Sequence, residues 1–126
     1  MILSELILSN FLVFHGEQKL TFPSDEAQNV TLILANNNSG KTSIIRALKF
    51  LFYGSKALAL NRVSGRPSTV ISERAGHETP VGQDLEGWVD LQFMLGDQTY
   101  RFRRTVTATM TRDGLDQGTE QLTEFI

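Results

Sequence analysis

The stretch that decides the fold of this chain is Ala35-Asn36-Asn37-Asn38-Ser39-Gly40-Lys41-Thr42, and its flanks define its setting. An apolar segment, residues 30–34, comes directly before it, and a segment with helical periodicity, residues 43–52, follows. The stretch fits the pattern G-x-x-x-x-G-K-[ST] except at Ala35, where the pattern has glycine. This setting predicts a phosphate-binding loop between a strand and a helix, against the alternative of an Asn-rich turn followed by a chance Gly-Lys-Thr.

Each position of this loop has a predicted task. Consecutive backbone N–H groups and the helix N-terminus point at the phosphates, while Gly40 leaves room for the backbone to approach them. Lys41 reaches the β- and γ-phosphates and is the predicted catalytic residue, and the Thr42 hydroxyl is the predicted Mg²⁺ ligand. We expect Asn38 to adopt a left-handed conformation. The predicted nucleotide-binding residues are Asn36, Asn37, Asn38, Ser39, Gly40, Lys41, Thr42 and Ser43.

Composition limits the class of protein. A chain of 126 residues makes one domain with a single core, and 40% hydrophobic with 21% charged residues argues against disorder. A formal charge of −2 means that any contact with nucleic acid must be a local patch. The absence of cysteine excludes thiolate metal sites and cysteine catalysis. No secretory leader and no apolar run near the roughly 20 residues that span a bilayer are present, so we expect a cytoplasmic protein without membrane contact.

Hydrophobic periodicity in the first half predicts strands and one helix. A strand is expected over residues 2–8, a turn at His15-Gly16-Glu17 and a second strand over residues 18–22. Residues 30–34 are apolar enough for a central strand that is buried on both faces and carries the loop at its carboxyl end. The helix of residues 42–52 is expected to pack on the sheet and to end near Gly54.

The second half is predicted to hold an antiparallel hairpin. Residues 55–86 lose all periodicity, and we expect a flexible insertion there. Residues 88–95 and 98–108 alternate between apolar and polar side chains, and Gly96-Asp97 between them suits a two-residue turn. Another turn is expected at Arg112-Asp113-Gly114, after which the tail of residues 115–126 shows no clear period.

Several short motifs together carry a family resemblance. They are Leu6-Ile7-Leu8-Ser9-Asn10-Phe11, Leu20-Thr21-Phe22, Asn37-Asn38-Ser39-Gly40-Lys41-Thr42 and Phe52-Tyr53-Gly54. In these motifs the chain resembles the N-terminal ATPase lobe of the RecF/SMC/SbcC group of ABC-type ATPases. Within that group, the step Phe14-His15-Gly16-Glu17-Gln18 and the hairpin at residues 90–104 are most similar to the DndD proteins of bacterial DNA phosphorothioation systems.

The resemblance implies a head that is assembled from two ends of a long chain, of which this chain is the first. It implies ATP and Mg²⁺ as cofactors, ATP hydrolysis by the full-length protein, and completion by the C-terminal half of the same head or by a second ATPase subunit. DNA and other modification or defence proteins are further implied partners. The sequence agrees with half a site, because the nearest Walker B candidate, Gly87-Trp88-Val89-Asp90-Leu91, lacks the apolar run and the second acid. We therefore expect the isolated chain to be nearly inactive.

For each of two groups of residues, two interpretations stay open. Members of the group often have Arg or Lys where Leu12 stands, so a charged contact is missing there, while Val13 and Phe14 either line the base or ribose or fill the core. A cluster of arginines in the hairpin either contacts DNA phosphates or is solvated or paired with Asp and Glu. The candidate DNA contacts in that cluster are Arg101, Arg103 and Arg104.

The fold predicted from these observations is α/β. It is a P-loop NTPase of the ABC-head type, N-terminal lobe, with a central β-sheet, one main helix after the P-loop and an antiparallel β-hairpin extension. A single domain, residues 1–126, would comprise a P-loop core (1–54), the flexible insertion (55–86) and the hairpin extension (87–126). Two other functions stay open: a non-catalytic nucleotide-binding module that controls dimerisation or partner docking, and a small P-loop kinase.

Overall fold

The computed structural model describes residues 1–23, 25, 27–34, 40–58 and 69–125. Its elements are five strands, two α-helices and a 3-10 turn at Ser55–Ala57 within those residues. The strands are β1 (Ile2–Phe11), β2 (Phe14–Thr21), β3 (Asp84–Leu95), β4 (Gln98–Thr111) and β5 (Gly114–Phe125), and the helices are α1 (Lys41–Tyr53) and α2 (Glu73–His77).

The five strands form one sheet in the order β2-β1-β3-β4-β5, and every pair is antiparallel. The predicted hairpin is confirmed, because β3 and β4 pair along their full length and close at Gly96-Asp97. The turn after β4 also lies where the sequence predicts it, between the pair Thr111 and Gly114. With a helix on this sheet, the α/β prediction fits in its broad sense.

The C-terminal segment that shows no clear hydrophobic period in the sequence forms the edge strand β5. It pairs with β4 from Gly114 to Phe125, with a register shift between Val106 and Ala108 of β4. Most of its residues are polar on both faces of the sheet, as in Asp116-Gln117-Gly118-Thr119-Glu120-Gln121. The hydrophobic pattern does not predict this strand because the strand forms through backbone pairing with β4 and not through burial of one apolar face.

The turn of the first hairpin was predicted at the wrong position. It lies at Leu12-Val13, where Phe11 pairs with Phe14, and β2 begins before the expected turn at residues 15–17. Asn10 explains the difference: it has a left-handed φ of 50°, and its Oδ1 accepts a hydrogen bond from the Gly16 N–H at 2.8 Å. Gly16, with φ 71°, therefore belongs to an irregular start of β2.

The prediction of a central strand at residues 30–34 is wrong for this structure. These residues form no strand, and Val30, Leu32 and Leu34 are 82%, 77% and 83% exposed. A strand that is apolar on both faces needs neighbours on both sides and a layer on each face. The five described strands already pair with one another, and neither edge strand, β2 or β5, takes this segment as a partner.

The core lies between α1 and the face of the sheet that α1 covers. Helix α1 lies where the sequence predicts the main helix, and it ends at Gly54, which has φ 87° and donates its N–H to the Phe50 carbonyl. Phe50 packs on Phe11 of β1 with 5.3 Å between ring centroids. Leu58, just after α1 and the 3-10 turn, is buried in this core. The division of the domain into three parts stays a prediction.

Candidate nucleotide site

The structure describes the second half of the predicted loop. Ala35, Asn36, Asn37, Asn38 and Ser39 lie outside the described residues, and so does the conformation expected for Asn38. Gly40 is the N-cap of α1, with φ 101° and ψ 5°, a left-handed conformation that favours glycine. Lys41, Thr42 and Ser43 follow as the first turn of the helix.

The N-terminus of α1 is suited to an anion. Gly40 offers no side-chain cap, and the first turn contains no acidic residue. Backbone N–H groups of a first helical turn have no partner within the helix, and they favour negative charge. Lys41 and Thr42 are exposed there, whereas the Ser43 side chain is buried. A triphosphate with its Mg²⁺ therefore fits the described part of this site, with Lys41 as a cation and the Thr42 hydroxyl as an oxygen ligand.

The turn between β1 and β2 lies against the same glycine. A Cβ placed on Gly40 would lie 2.7 Å from Phe14 Cζ and 3.3 Å from Val13 Cγ2. Phe14 is half-buried and Val13 is 61% exposed. Phe14 packs against the hydrophobic core, as one of the two interpretations has it, and its ring also lies beside Gly40. Contact of Val13 or Phe14 with a base or ribose stays a prediction.

Asn10 is a structural residue of the turn beside the site, and the sequence pattern assigns it no role. Its backbone carbonyl accepts from the Ser72 N–H at 2.8 Å, its Oδ1 accepts from the Gly16 N–H, and its Nδ2 donates to the Glu86 carbonyl at 3.2 Å. Asn tolerates the left-handed region better than other residues with a side chain. The signal that could have revealed this role is an Asn between two β-patterned segments, which indicates a turn.

The candidate Walker B acid, Asp90, lies on the opposite face of the sheet from α1. Its side chain is 1% exposed and accepts from Arg101 Nε at 2.8 Å and from Arg103 Nε at 2.9 Å. The hydrogen bond from Arg101 raises the pKa of that guanidinium, so it stays charged at any ordinary pH. Arg103 also lies over the Trp88 ring, 3.9 Å from its centroid. Asp90 thus serves a structural ion-pair cluster and does not face the nucleotide site.

The third candidate DNA residue, Arg104, points to the face that carries α1. It donates from Nε to the Leu51 carbonyl at 3.0 Å and pairs with Glu120 Oε1 at 3.2 Å. Glu120 also accepts from the Ser55 N–H at 3.0 Å and from the Ser55 hydroxyl at 2.6 Å. The three arginines are therefore not brought to one surface, and Arg104 anchors the C-terminal end of α1.

The face that holds Arg101 and Arg103 is acidic by formal charge among the described residues. Strand register assigns to it six carboxylates against three basic groups. The carboxylates belong to Glu5, Glu17, Asp84, Glu86, Asp90 and Asp116, and the basic groups to Lys19, Arg101 and Arg103. Such a face gives DNA phosphates no net attraction.

Two properties of the described residues concern metal ligands and membranes. Within them, no three His, Asp or Glu side chains come together as metal ligands. None of the described helices is long and apolar enough to cross a membrane.

Comparison with known protein families identifies the family of the chain. Residues 5–124 match a family described as an AAA domain. No curated protein matches the chain. Because the match spans nearly the whole sequence, the chain belongs to this AAA-domain family of ABC- and SMC-like ATPase heads, which are nucleotide-binding ATPase modules that generally depend on ATP and Mg²⁺.

Proposed function

We propose that this chain is the ATP-binding lobe of an ABC/SMC-like ATPase head and that Mg-ATP binds at the N-terminus of α1. The observation that carries the proposal is the exposed, uncapped start of α1, where Lys41 and Thr42 follow the left-handed Gly40. An arrangement of this kind, in a loop that also reads Asn-Ser-Gly-Lys-Thr, suits the phosphates of a nucleotide. The family match supports a nucleotide-binding ATPase module.

Each described residue of the site then has a defined task. When bound, Mg-ATP supplies the γ-phosphoryl group that is transferred to water. Lys41 Nζ places positive charge at the β- and γ-phosphates, and the Thr42 hydroxyl is an oxygen ligand for Mg²⁺. The backbone N–H groups of residues 40–43, at the start of α1, donate hydrogen bonds to phosphate oxygens. The acid that orients water comes from another segment, since Asp90 is bound to two arginines on the far face.

The same proposal includes a second segment that completes the head. Large apolar side chains are exposed at Ile45, Phe52 and Tyr53 of α1, and residues 30–34 are exposed as well. A polypeptide that adds strands beside residues 30–34 and covers this side of α1 would bury both. The C-terminal half of the same head, or a second ATPase subunit, would supply it together with the Walker B and signature elements. The complete protein would then hydrolyse ATP, while the isolated chain is nearly inactive.

The assignment of the complete protein to a particular biological system rests on the resemblance to the DndD proteins. It places the complete protein in a DNA phosphorothioation or defence system, together with DNA and other modification proteins. A non-catalytic nucleotide-binding module that controls dimerisation or partner docking is the competing function, favoured by the position of Asp90 away from the site. Nucleotide turnover by the completed head distinguishes the two, because only an ATPase releases phosphate in each cycle.

Removal of the Lys41 ammonium group tests the site. We expect Lys41→Ala and Lys41→Met to weaken Mg-ATP binding by about 10- to 100-fold, since a hydrogen bond to a charged group contributes about 1.5–3 kcal/mol. Isothermal titration calorimetry measures the affinity. Lys49→Ala is the matched control, because Lys49 is an exposed lysine of the same helix away from its N-terminus. Equal affinities of the parent chain and the three variants would refute nucleotide binding at Lys41. Steady ATP hydrolysis by the isolated chain would refute the proposal that a second segment must complete the site.

A separate variant tests the arginine cluster for DNA contact. We expect Arg103→Gln to leave double-stranded DNA binding by the complete protein unchanged at every salt concentration, because Arg103 is bound to Asp90 on an acidic face. If Arg103 contacted a DNA phosphate, its loss would reduce the steepness of log affinity against log salt concentration by about one unit. Fluorescence anisotropy over a salt series distinguishes the two outcomes, and a lower slope would assign Arg103 to DNA.

A further inference from the structure

We propose that Phe14 is a positioning residue for the Lys41 site and that it acts through Gly40. This inference rests on the proposed function, because it concerns the shape of the same phosphate-binding end of α1. The phosphate-binding pattern does not include Phe14, which lies 26 positions before Gly40 in the sequence. The structure brings the two together.

The contact is between the edge of an aromatic ring and a backbone that has no side chain. An added Cβ on Gly40 would meet Phe14 Cζ at 2.7 Å and Phe14 Cε1 at 3.1 Å. These separations show that the ring occupies the space beside the Gly40 Cα. The left-handed conformation of Gly40 also determines the direction in which α1 starts, and with it the direction of the Lys41 and Thr42 N–H groups. Phe14 therefore limits the conformations of the residue that sets this direction.

The position of the ring is fixed independently of the loop. The turn that carries it is held by two hydrogen bonds with the segment directly before α2. The Leu12 N–H donates to the Val70 carbonyl at 2.7 Å, and the Ser72 N–H donates to the Asn10 carbonyl. Leu12 has a φ of 49°, which is unfavourable for a leucine and persists only where surrounding contacts hold it.

A side-chain contact of His15, the residue after Phe14, adds to these backbone hydrogen bonds. His15 Nε2 lies 2.7 Å from Glu78 Oε2, just after α2. The chain on both sides of Phe14 is thus held by residues 70–78, and its ring packs against the hydrophobic core, so its position does not depend on the contact with Gly40 alone. A site that is arranged before its ligand arrives loses less conformational entropy on binding, so loss of the ring should weaken nucleotide binding.

The test compares Phe14→Leu and Phe14→Ala with Phe102→Leu. Phe102 packs on Phe93 with 5.4 Å between centroids and on Phe52, far from Gly40, so it reports general loss of packing. The first measurement is NMR of the nucleotide-free 126-residue chain: the Gly40 Hα resonances should carry a ring-current shift that both Phe14 variants remove and Phe102→Leu retains. The second is calorimetric titration with Mg-ATP, where we expect about tenfold weaker binding for the Phe14 variants alone.

The outcomes separate this inference from the proposed function. Unchanged Gly40 resonances in both Phe14 variants, or equal losses of affinity in Phe14→Leu and Phe102→Leu, would overturn the positioning role. If Lys41→Ala binds Mg-ATP as well as the parent chain does, the proposed function fails, and the backbone amide resonances of Lys41 and Thr42 alone then decide whether Phe14 shapes this helix start. A change in the Lys41 and Thr42 amide resonances in Phe14→Leu but not in Phe102→Leu supports the inference even where no variant binds nucleotide, whereas amide resonances that stay unchanged would overturn it.

Discussion

Phe50→Ala is expected to lower the free energy of unfolding by about 3–5 kcal/mol, as is typical for a buried phenylalanine. Phe50 is fully buried between α1 and the sheet, packs on Phe11 and lies under the Arg104 guanidinium, 6.0 Å from it. Its loss would leave a cavity at the point where the helix that carries Lys41 meets β1. Urea denaturation followed by circular dichroism measures the change.

Phe52→Ala is the matched control for this substitution. Phe52 lies on the same helix and is 38% exposed, and its described ring contact is an edge-on one with Phe102 at 6.5 Å. We expect it to cost about 1 kcal/mol or less, because partly exposed side chains bury less apolar area. Similar losses for the two variants would show that α1 is not held to the sheet by the contact of Phe50 with Phe11.

Asp90→Ala is expected to lower the free energy of unfolding by about 3 kcal/mol, within the range for charged hydrogen bonds and broken buried pairs. The carboxylate is almost completely buried and receives hydrogen bonds from two arginines, which would be left with like charges side by side. The loss should be smaller in the double variant Asp90→Ala/Arg103→Gln, since one unpaired charge is removed with it.

Chemical denaturation of the single and double variants measures that coupling. Asp84→Ala provides the comparison, because Asp84 lies on the same strand and face but is exposed and accepts one hydrogen bond from the Thr109 hydroxyl. We expect it to cost less than about 1 kcal/mol. A small decrease in the free energy of unfolding for Asp90→Ala would contradict the structural role of the cluster. Asp90 would then again be a candidate for a functional role.

The elements that sequence could predict are those with a local signal. Helix α1 has an apolar stripe and ends at Gly54, and the β3–β4 hairpin combines alternation with Gly96-Asp97. Lys41 and Thr42 were identified by a motif whose spacing has a physical cause, and the structure places both at an exposed helix start. These features depend on residues close together in the chain, so one sequence contains the information.

The features that sequence could not predict depend on distant residues or on an absent neighbour. Residues 30–34 read as a buried strand because apolar composition records where a segment is to be buried but not which partner buries it. The contact of Phe14 with Gly40 and the pairing of Arg104 with Glu120 join positions that only the fold brings together. Arg101 and Arg103 read as a basic patch because strand register, which places Asp90 between them, is invisible in composition.

Helix α1 is fastened at both of its ends, and this has a mechanical consequence. Phe14 lies against its N-cap residue, Gly40, while Arg104 binds the Leu51 carbonyl and Glu120 binds Ser55 at the other end. A helix of this length is a stiff rod of about 20 Å, so it cannot absorb a displacement by bending. A push at the phosphate end would reach β5, the outermost strand, as strain on the Glu120 contacts. The outermost strand of the sheet is thereby connected to the start of α1 through one rigid element.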